Sequence, residues 1–321
     1  MSLDREQRQR LLALMWRIRV FEERVGQLAR ADEALGLIHL SIGQEAVAAA
    51  VCSQLRDDDA VYSGHRAHGH AIAKGAPLER VLAELMGRDT GLCRGLGGSM
   101  HLVDVEHGFM GATGVVGGNI PIALGSALAA RRRGDGSVAV VFFGDGAVQA
   151  GHFAETVNLA TLWGLPLLLV CENNGFAEFT PRSAHTSVER VSDVVAPYDV
   201  VRETVDGNDA VAVWDAFGRH LAAAREGRGP FLLECLTYRL GGHYEGDPAA
   251  YREALAEAEW QERDPILRLQ RHGVAAGWFT EAALSTVAAA AAEMVEEAVR
   301  LARQSPFPPV ELLGEMVYAD A

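Results

Sequence analysis

Cysteine is scarce in this chain: Cys52, Cys93, Cys171 and Cys235 are its four. They are scattered without paired spacing, which excludes a structural zinc site and a dense disulfide framework. Positive charge is short as well, with 29 Lys and Arg against 43 Asp and Glu and a net charge of −14. That balance argues against a surface that coats nucleic acid and favours solubility. An anionic ligand would then need locally placed cations, because the global field repels it. No apolar run approaches the length of a membrane span, and the first six residues lack a basic segment followed by an apolar core, so no secretory signal is visible. A soluble cytoplasmic protein is expected, with Cys171 and Cys235 as buried thiols in apolar runs. Internal repeats and flexible linkers are also missing. The 321 residues fit one large α/β domain, with a core over about 35–240, a helical segment at 4–30, and helices and a tail over 250–321.

What is present is organised around residues 138–174. An apolar run at 138–143 leads into Gly144-Asp145-Gly146, a helix-length segment follows, and a second apolar run at 165–171 ends in Glu172-Asn173-Asn174. This predicts a βαβ unit with Asp145 and Asn174 at the carboxyl ends of neighbouring parallel strands, the edge where open α/β sheets bind ligands. The two glycines let the backbone bend and approach a phosphate closely. A carboxylate from Asp145, an amide oxygen from Asn174 and the main-chain carbonyl of Phe176 form an oxygen donor set suited to Mg²⁺. Either fragment alone reads as an ordinary turn. Together, each behind an apolar run and flanking one helix, they read as a metal-diphosphate cradle.

Elsewhere the spacing predicts a long amphipathic helix over 4–30, short helices after Gly43-Gln44-Glu45 and over 77–87, an alanine-rich helix over 120–132 and a helix over 282–303. Further strands are expected at 199–205 and 230–238, separated by a helix at 209–225, giving a doubly wound, mostly parallel sheet. His39 lies in an apolar stretch, where a core role competes with a catalytic one. In the segment 62–70, Arg66 would repel a cation and offers a planar fork of donors to a diphosphate, so an anion site is the better account. His68 and His70 default to loop positions. The glycine-rich stretches at 95–101 and 111–119 read as loops with close backbone approaches.

These motifs carry a resemblance. The Gly-Asp-Gly…Asn-Asn pattern is similar to the thiamine-diphosphate signature. With His65-Arg66, the Gly-Gly-Ser-Met-His loop ending at His101, and Gly242-His243, residues 10–270 look like the alpha subunit of a thiamine-dependent 2-oxo acid or acetoin dehydrogenase first component (E1). The resemblance implies that His65 and Arg66 contact the cofactor diphosphate and that Gly144, Asp145, Gly146, Ala147 and Asn174 line its cradle. It also implies that Gly114 and Val116 support the aminopyrimidine, that His39 lies near the substrate channel, and that His243 handles protons at the cofactor. The segments at 91–93, 172–181 and 242–247 look most like acetoin dehydrogenase alpha subunits. Tyr244 stands where the eukaryotic pyruvate branch has a regulatory serine.

The family's pyrimidine-binding half, with its glutamate, has no room in this chain. A beta subunit in an α₂β₂ heterotetramer and a lipoyl-bearing E2 acyltransferase are therefore the implied partners, with acetoin, pyruvate or a branched 2-oxo acid as substrate. A Mg²⁺-dependent phosphotransferase using Asp145 and a nucleotide-binding oxidoreductase are the competing readings. The second lacks a Gly-x-Gly-x-x-Gly in a first βα turn.

Overall fold

A computed structural model describes residues 3–252 and 254–316. Its eight strands are β1 (Ala60–Ser63), β2 (Phe109–Ala112), β3 (Ala139–Gly144), β4 (Leu167–Asn173), β5 (Phe176–Ala177), β6 (Thr180–Pro181), β7 (Val201–Asp206) and β8 (Phe231–Leu236). Six of them form one sheet in the order β2-β1-β3-β4-β8-β7, every neighbouring pair parallel. The short β5-β6 ladder is antiparallel and stands apart.

Helices cover both faces, so the central strands carry apolar side chains on both sides rather than alternating with polar ones. On β3, Val140 and Phe142 face one core with helices Arg5–Arg30 and Glu45–Cys52, while Val141 and Phe143 face a second core with Phe153 and Val157 of helix Gly151–Trp163. Each such buried side chain contributes roughly 1.5–3 kcal/mol, which fixes the register of the strand whose end carries the site.

The first helix starts at Arg5 because Asp4 closes a capping box. Its carboxylate accepts from the Gln7 amide at 2.8 Å, and the Gln7 side chain accepts from the Asp4 amide at 2.9 Å. Its apolar face packs inward through Met15, Ile18, Phe21 and Val25, against helix Glu281–Gln304 among others. The face is core.

Two strands of the main sheet escaped the periodicity, as did the two-residue strands β5 and β6. β1 and β2 are four residues each, too short for a period-2 pattern to stand out. Their presence creates the switch point: the chain runs from β1 outward to β2, then returns with β3 on the other side of β1. Crevices at such reversals, outside the carboxyl ends, are where this architecture takes ligands. The default loop reading of His68 and His70 is corrected, since both open the helix His68–Lys74 and are buried.

Candidate active site

A cavity of about 320 Å³ opens at that crevice. Ser63 ends β1 and Gly64, His65 and Arg66 follow it, Gly144 ends β3 and Gly146 and Ala147 follow it, and Glu172 lies near the end of β4 with Asn174 one residue past it. His39, Gly114, Val116, Phe176, Arg239 and His243 complete the wall from loops. Every cavity-lining position anticipated in the sequence is therefore brought to one place. Asp145 is the exception: it is fully buried just behind the wall, between the lining residues Gly144 and Gly146.

Asp145 is a carboxylate without a hydrogen bond, since neither oxygen has a partner among the described residues. His185 lies beside it, its Nε2 3.4 Å from Oδ2. Burial lifts the Asp145 carboxyl above its ordinary range, against the pull of His185. A buried charge in this condition is costly unless a cation completes it. Gly146 has no room for a side chain, because a Cβ would meet the Ala177 Cβ at 2.7 Å. At Gly144 a Cβ would meet nothing within 4 Å and would point into open space.

The two adjacent asparagines have different jobs. Asn173 donates its amide to Glu234 at 2.7 Å, and Glu234 also accepts from the Val191 and Ser192 amides and the Thr204 hydroxyl. Asn173 is thus tied into the sheet. Asn174 faces the cavity, and its oxygen accepts only the Phe176 amide at 3.2 Å, an Asx turn that aims the chain at residue 176.

Three histidines meet on the opposite wall. Ring centroids lie 4.7 Å apart for His39 and His65, 5.0 Å for His39 and His243, and 5.5 Å for His65 and His243. Two guanidiniums press on them: Arg66 and Arg239 each place a nitrogen 3.2 Å from His243 Nδ1. A guanidinium only donates, so Nδ1 accepts and the ring proton of neutral His243 sits on Nε2. Burial, then Arg66, pushes the His39 imidazole down to about 4, His65 to about 2 and His243 to about 3. All three rings are neutral at physiological pH. The three could approach one ion, their ligand atoms lying within 4.8 Å of one another. The tautomer of His243 and two adjacent guanidiniums oppose a cation there. Arg66 itself is buried, donating to the Leu40 and His243 carbonyls at 2.7 Å, and burial lowers it to about 9.

Two buried carboxylates hold the loops that carry these groups. Glu22 accepts from the Ser41 amide and hydroxyl and from His68 Nδ1 at 2.9 Å, while His68 Nε2 meets the Ser99 hydroxyl at 2.8 Å. Glu84 gathers four amides, those of Cys93, Gly95, Gly97 and Gly98, at 2.7 to 3.0 Å. His68 and Ser99 are thereby supports of the wall, whereas Met100 lines it.

Sequence reasoning missed Arg239, Glu172, Tyr251 and His185. Tyr251 and the His243 amide both donate to the Asp247 carboxylate, at 2.8 and 2.5 Å, and Arg239 donates to the Tyr251 oxygen at 2.7 Å. This network holds the loop that carries His243. The available signal was Arg239, a cation directly after an apolar strand run in an acidic chain.

Comparison with known proteins agrees with this geometry. Residues 13–311 match the dehydrogenase E1 component family. The chain is 42% identical over 320 residues to the alpha subunit of acetoin:2,6-dichlorophenolindophenol oxidoreductase of Bacillus subtilis, covering 99% of this chain and 95% of that protein. Its counterpart from Cupriavidus necator is 40% identical, covering 98% and 96%. The pyruvate dehydrogenase E1 alpha subunit of Zymomonas mobilis is 39% identical, covering 97% and 88%. A family match across nearly the whole chain, with the motif residues assembled at one cavity, places this protein in the dehydrogenase E1 component family.

Proposed function

We propose that this chain is the alpha subunit of a thiamine-diphosphate-dependent E1 that cleaves acetoin, with pyruvate decarboxylation as the second reading. The observation that carries it is Asp145: a buried carboxylate that makes no hydrogen bond among the described residues and has only His185 beside it at 3.4 Å, one residue past β3, next to a cavity that Asn174 lines one residue past β4. Asp145, Asn174 and the Phe176 carbonyl would hold a Mg²⁺ ion, which would in turn anchor the diphosphate. Open space at Gly144 fits the diphosphate. When bound, thiamine diphosphate supplies a nucleophilic carbon and an electron sink.

The chain's own groups do the rest. Arg66 holds the diphosphate with the donors it does not use on the Leu40 and His243 carbonyls. Gly114 and Val116 support the aminopyrimidine. His243 donates from Nε2 to oxygen or sulfur on the reacting group, and His39 Nδ1, buried without a partner, accepts. Exposed Val115 and Val116 on the cavity wall, 67% and 59% accessible, support a beta subunit that covers this edge, supplies the pyrimidine-binding half and completes an α₂β₂ assembly. The acyl unit would pass to a lipoyl group on E2, in the cytoplasm.

Acetoin is favoured by the acetoin-type relatives and by the segments at 172–181 and 242–247. Co-expression with the beta subunit and comparison of kcat/KM for acetoin, pyruvate and a branched 2-oxo acid tests this. Acetoin is expected to lead; a tenfold preference for pyruvate would move the assignment to the second reading.

A further inference from the structure

We infer that His185 is a positioning residue for the metal: it occupies one oxygen of Asp145, leaves the other alone to meet the cation, and thereby selects Mg²⁺ over Ca²⁺. This rests on the metal-diphosphate reading above and adds to it a residue that stands outside the cavity wall.

Two buried polar groups face each other behind that wall. His185 Nε2 lies 3.4 Å from Asp145 Oδ2, with 13% of the histidine side chain and 1% of the aspartate side chain exposed. Both ring nitrogens and both carboxylate oxygens lack a hydrogen bond among the described residues. A carboxylate only accepts, so Nε2 is the donor of this pair, and the gap is a few tenths of an ångström beyond an ordinary hydrogen bond. The chain builds the approach. Phe176, whose carbonyl the proposed metal site uses, pairs with Pro181 in the β5-β6 ladder, and the Arg182 amide donates to the Gly175 carbonyl at 2.8 Å. The helix Arg182–His185 follows directly, its Arg182 guanidinium donating to the Val188 carbonyl at 2.7 Å. One short hairpin thus carries both the carbonyl ligand and the histidine. Ala177 of that hairpin presses on Gly146, where a Cβ would stand 2.7 Å from the Ala177 Cβ, so the glycine is what admits the hairpin to the turn that holds Asp145.

The two common divalent cations differ in what they take from a carboxylate. Mg²⁺ demands a near-ideal octahedron and keeps water and phosphate oxygens in much of it, so one carboxylate supplies one oxygen. Ca²⁺ is larger, takes about six to eight oxygens and accepts both from a single carboxylate. With Oδ2 held by His185, Asp145 offers Oδ1 alone. Single oxygens from Asp145, Asn174 and Phe176 suit the octahedron and deny Ca²⁺ its extra ligand. The same hydrogen bond fixes the orientation of the carboxylate, and loss of such an outer partner typically costs roughly 10–100-fold in metal affinity.

The test uses the complex with the beta subunit and reads binding of thiamine diphosphate by fluorescence titration, with Mg²⁺ or Ca²⁺ as the varied ion. In His185→Ala the Mg²⁺ concentration at half-saturation is expected to rise roughly tenfold or more, while that for Ca²⁺ stays within about threefold or falls. His185→Gln, whose amide nitrogen can take the place of Nε2, is expected to bring the Mg²⁺ midpoint back to within about threefold of wild type. An unchanged Mg²⁺ midpoint in the Ala variant, an equal rise for both ions, as a purely structural role of the hairpin would give, or no recovery with Gln would each overturn the role. Mn²⁺ bound to the wild-type complex separates positioning from ligation: its electron spin echo is expected to show no directly coordinated nitrogen, and such a nitrogen would overturn the role. If the Ala variant fails to assemble, His185→Leu, which fills the space without a donor, is read by the same two midpoints. A wild-type complex that binds thiamine diphosphate equally well in EDTA would sink the metal-diphosphate reading itself, and this is seen before any variant is made.

Discussion

Asp145→Asn preserves the size of the side chain but removes its charge, and two opposite effects are expected from that one change. In the absence of metal the wild-type carboxylate is buried without a hydrogen bond among the described residues, with His185 Nε2 3.4 Å away. An unsatisfied buried polar group costs roughly 1–3 kcal/mol, and more when charged. The amide still buries polar atoms, so the relief is about 1–2 kcal/mol, which at roughly 2–4 °C per kcal/mol raises the melting temperature by some 2–8 °C. With Mg²⁺ and thiamine diphosphate the order inverts. Ligand at about 100 times Kd stabilises the wild type by roughly 2.7 kcal/mol, whereas the variant, lacking the anionic ligand, gains little. The assay is a thermal melt of the complex with the beta subunit, followed by circular dichroism, in EDTA and again with cofactor and metal. A variant that melts below wild type in EDTA, or one that shows the full cofactor-induced shift, would refute the reasoning.

Acidification should destabilise the protein in a defined window. His39, His65 and His243 sit near 4, 2 and 3 when folded against an ordinary 6.5, so below about 6.5 the unfolded chain binds protons the folded one does not. Their stabilising contribution is complete above that pH and is lost progressively as pH falls below it, down through the folded values of about 4, 3 and 2. Melts between pH 7.5 and 5 should show a falling melting temperature, and His243→Asn should flatten the slope; an unchanged slope would contradict the neutral cluster. Glu84→Ala leaves four loop amides without their carboxylate and should cost at least about 3 kcal/mol in denaturant titrations, with new proteolytic cleavage at 93–98. The two asparagines should separate cleanly. Asn173→Ala lowers stability by about 1–3 kcal/mol through Glu234, while Asn174→Ala leaves the melt near wild type and weakens Mg²⁺-dependent cofactor binding. Swapped outcomes would reassign them.

The parts of the site that could be read from the chain are those that sit directly after apolar strand runs. Asp145 and Asn174 come one residue after β3 and β4, and in a parallel sheet that position puts them on one edge, whereas His243, seven residues past β8, is brought back to the same cavity by its loop. Arg66 was placed by its chemistry and His65 by the resemblance, since the strand before them, four residues long, gave no usable period. What could not be read is pairing across distant loops. Nothing in the spacing tells that Arg239 reaches His243 Nδ1, that Glu22 links Ser41 to His68, or that Glu84 collects four glycine-loop amides. His68 and His70 read as loop because their helix is seven residues long and begins with His68-Gly69-His70, poor helix formers held by burial rather than propensity. Asn174 rather than Asn173 was picked from the sequence, but the reason Asn173 is tied up, its bond to the buried Glu234 on β8, was not legible there.

The central claim is that this chain supplies the metal and diphosphate half of a site completed by another chain. It is tested most directly by acetoin-driven reduction of a dye acceptor, measured for this chain alone, its beta subunit alone and the two together, with and without Mg²⁺ and thiamine diphosphate. Turnover is predicted only when both chains, the metal and the cofactor are present. Full turnover by this chain alone, or activity of the complex that survives removal of the cofactor and chelation of the metal, would contradict it.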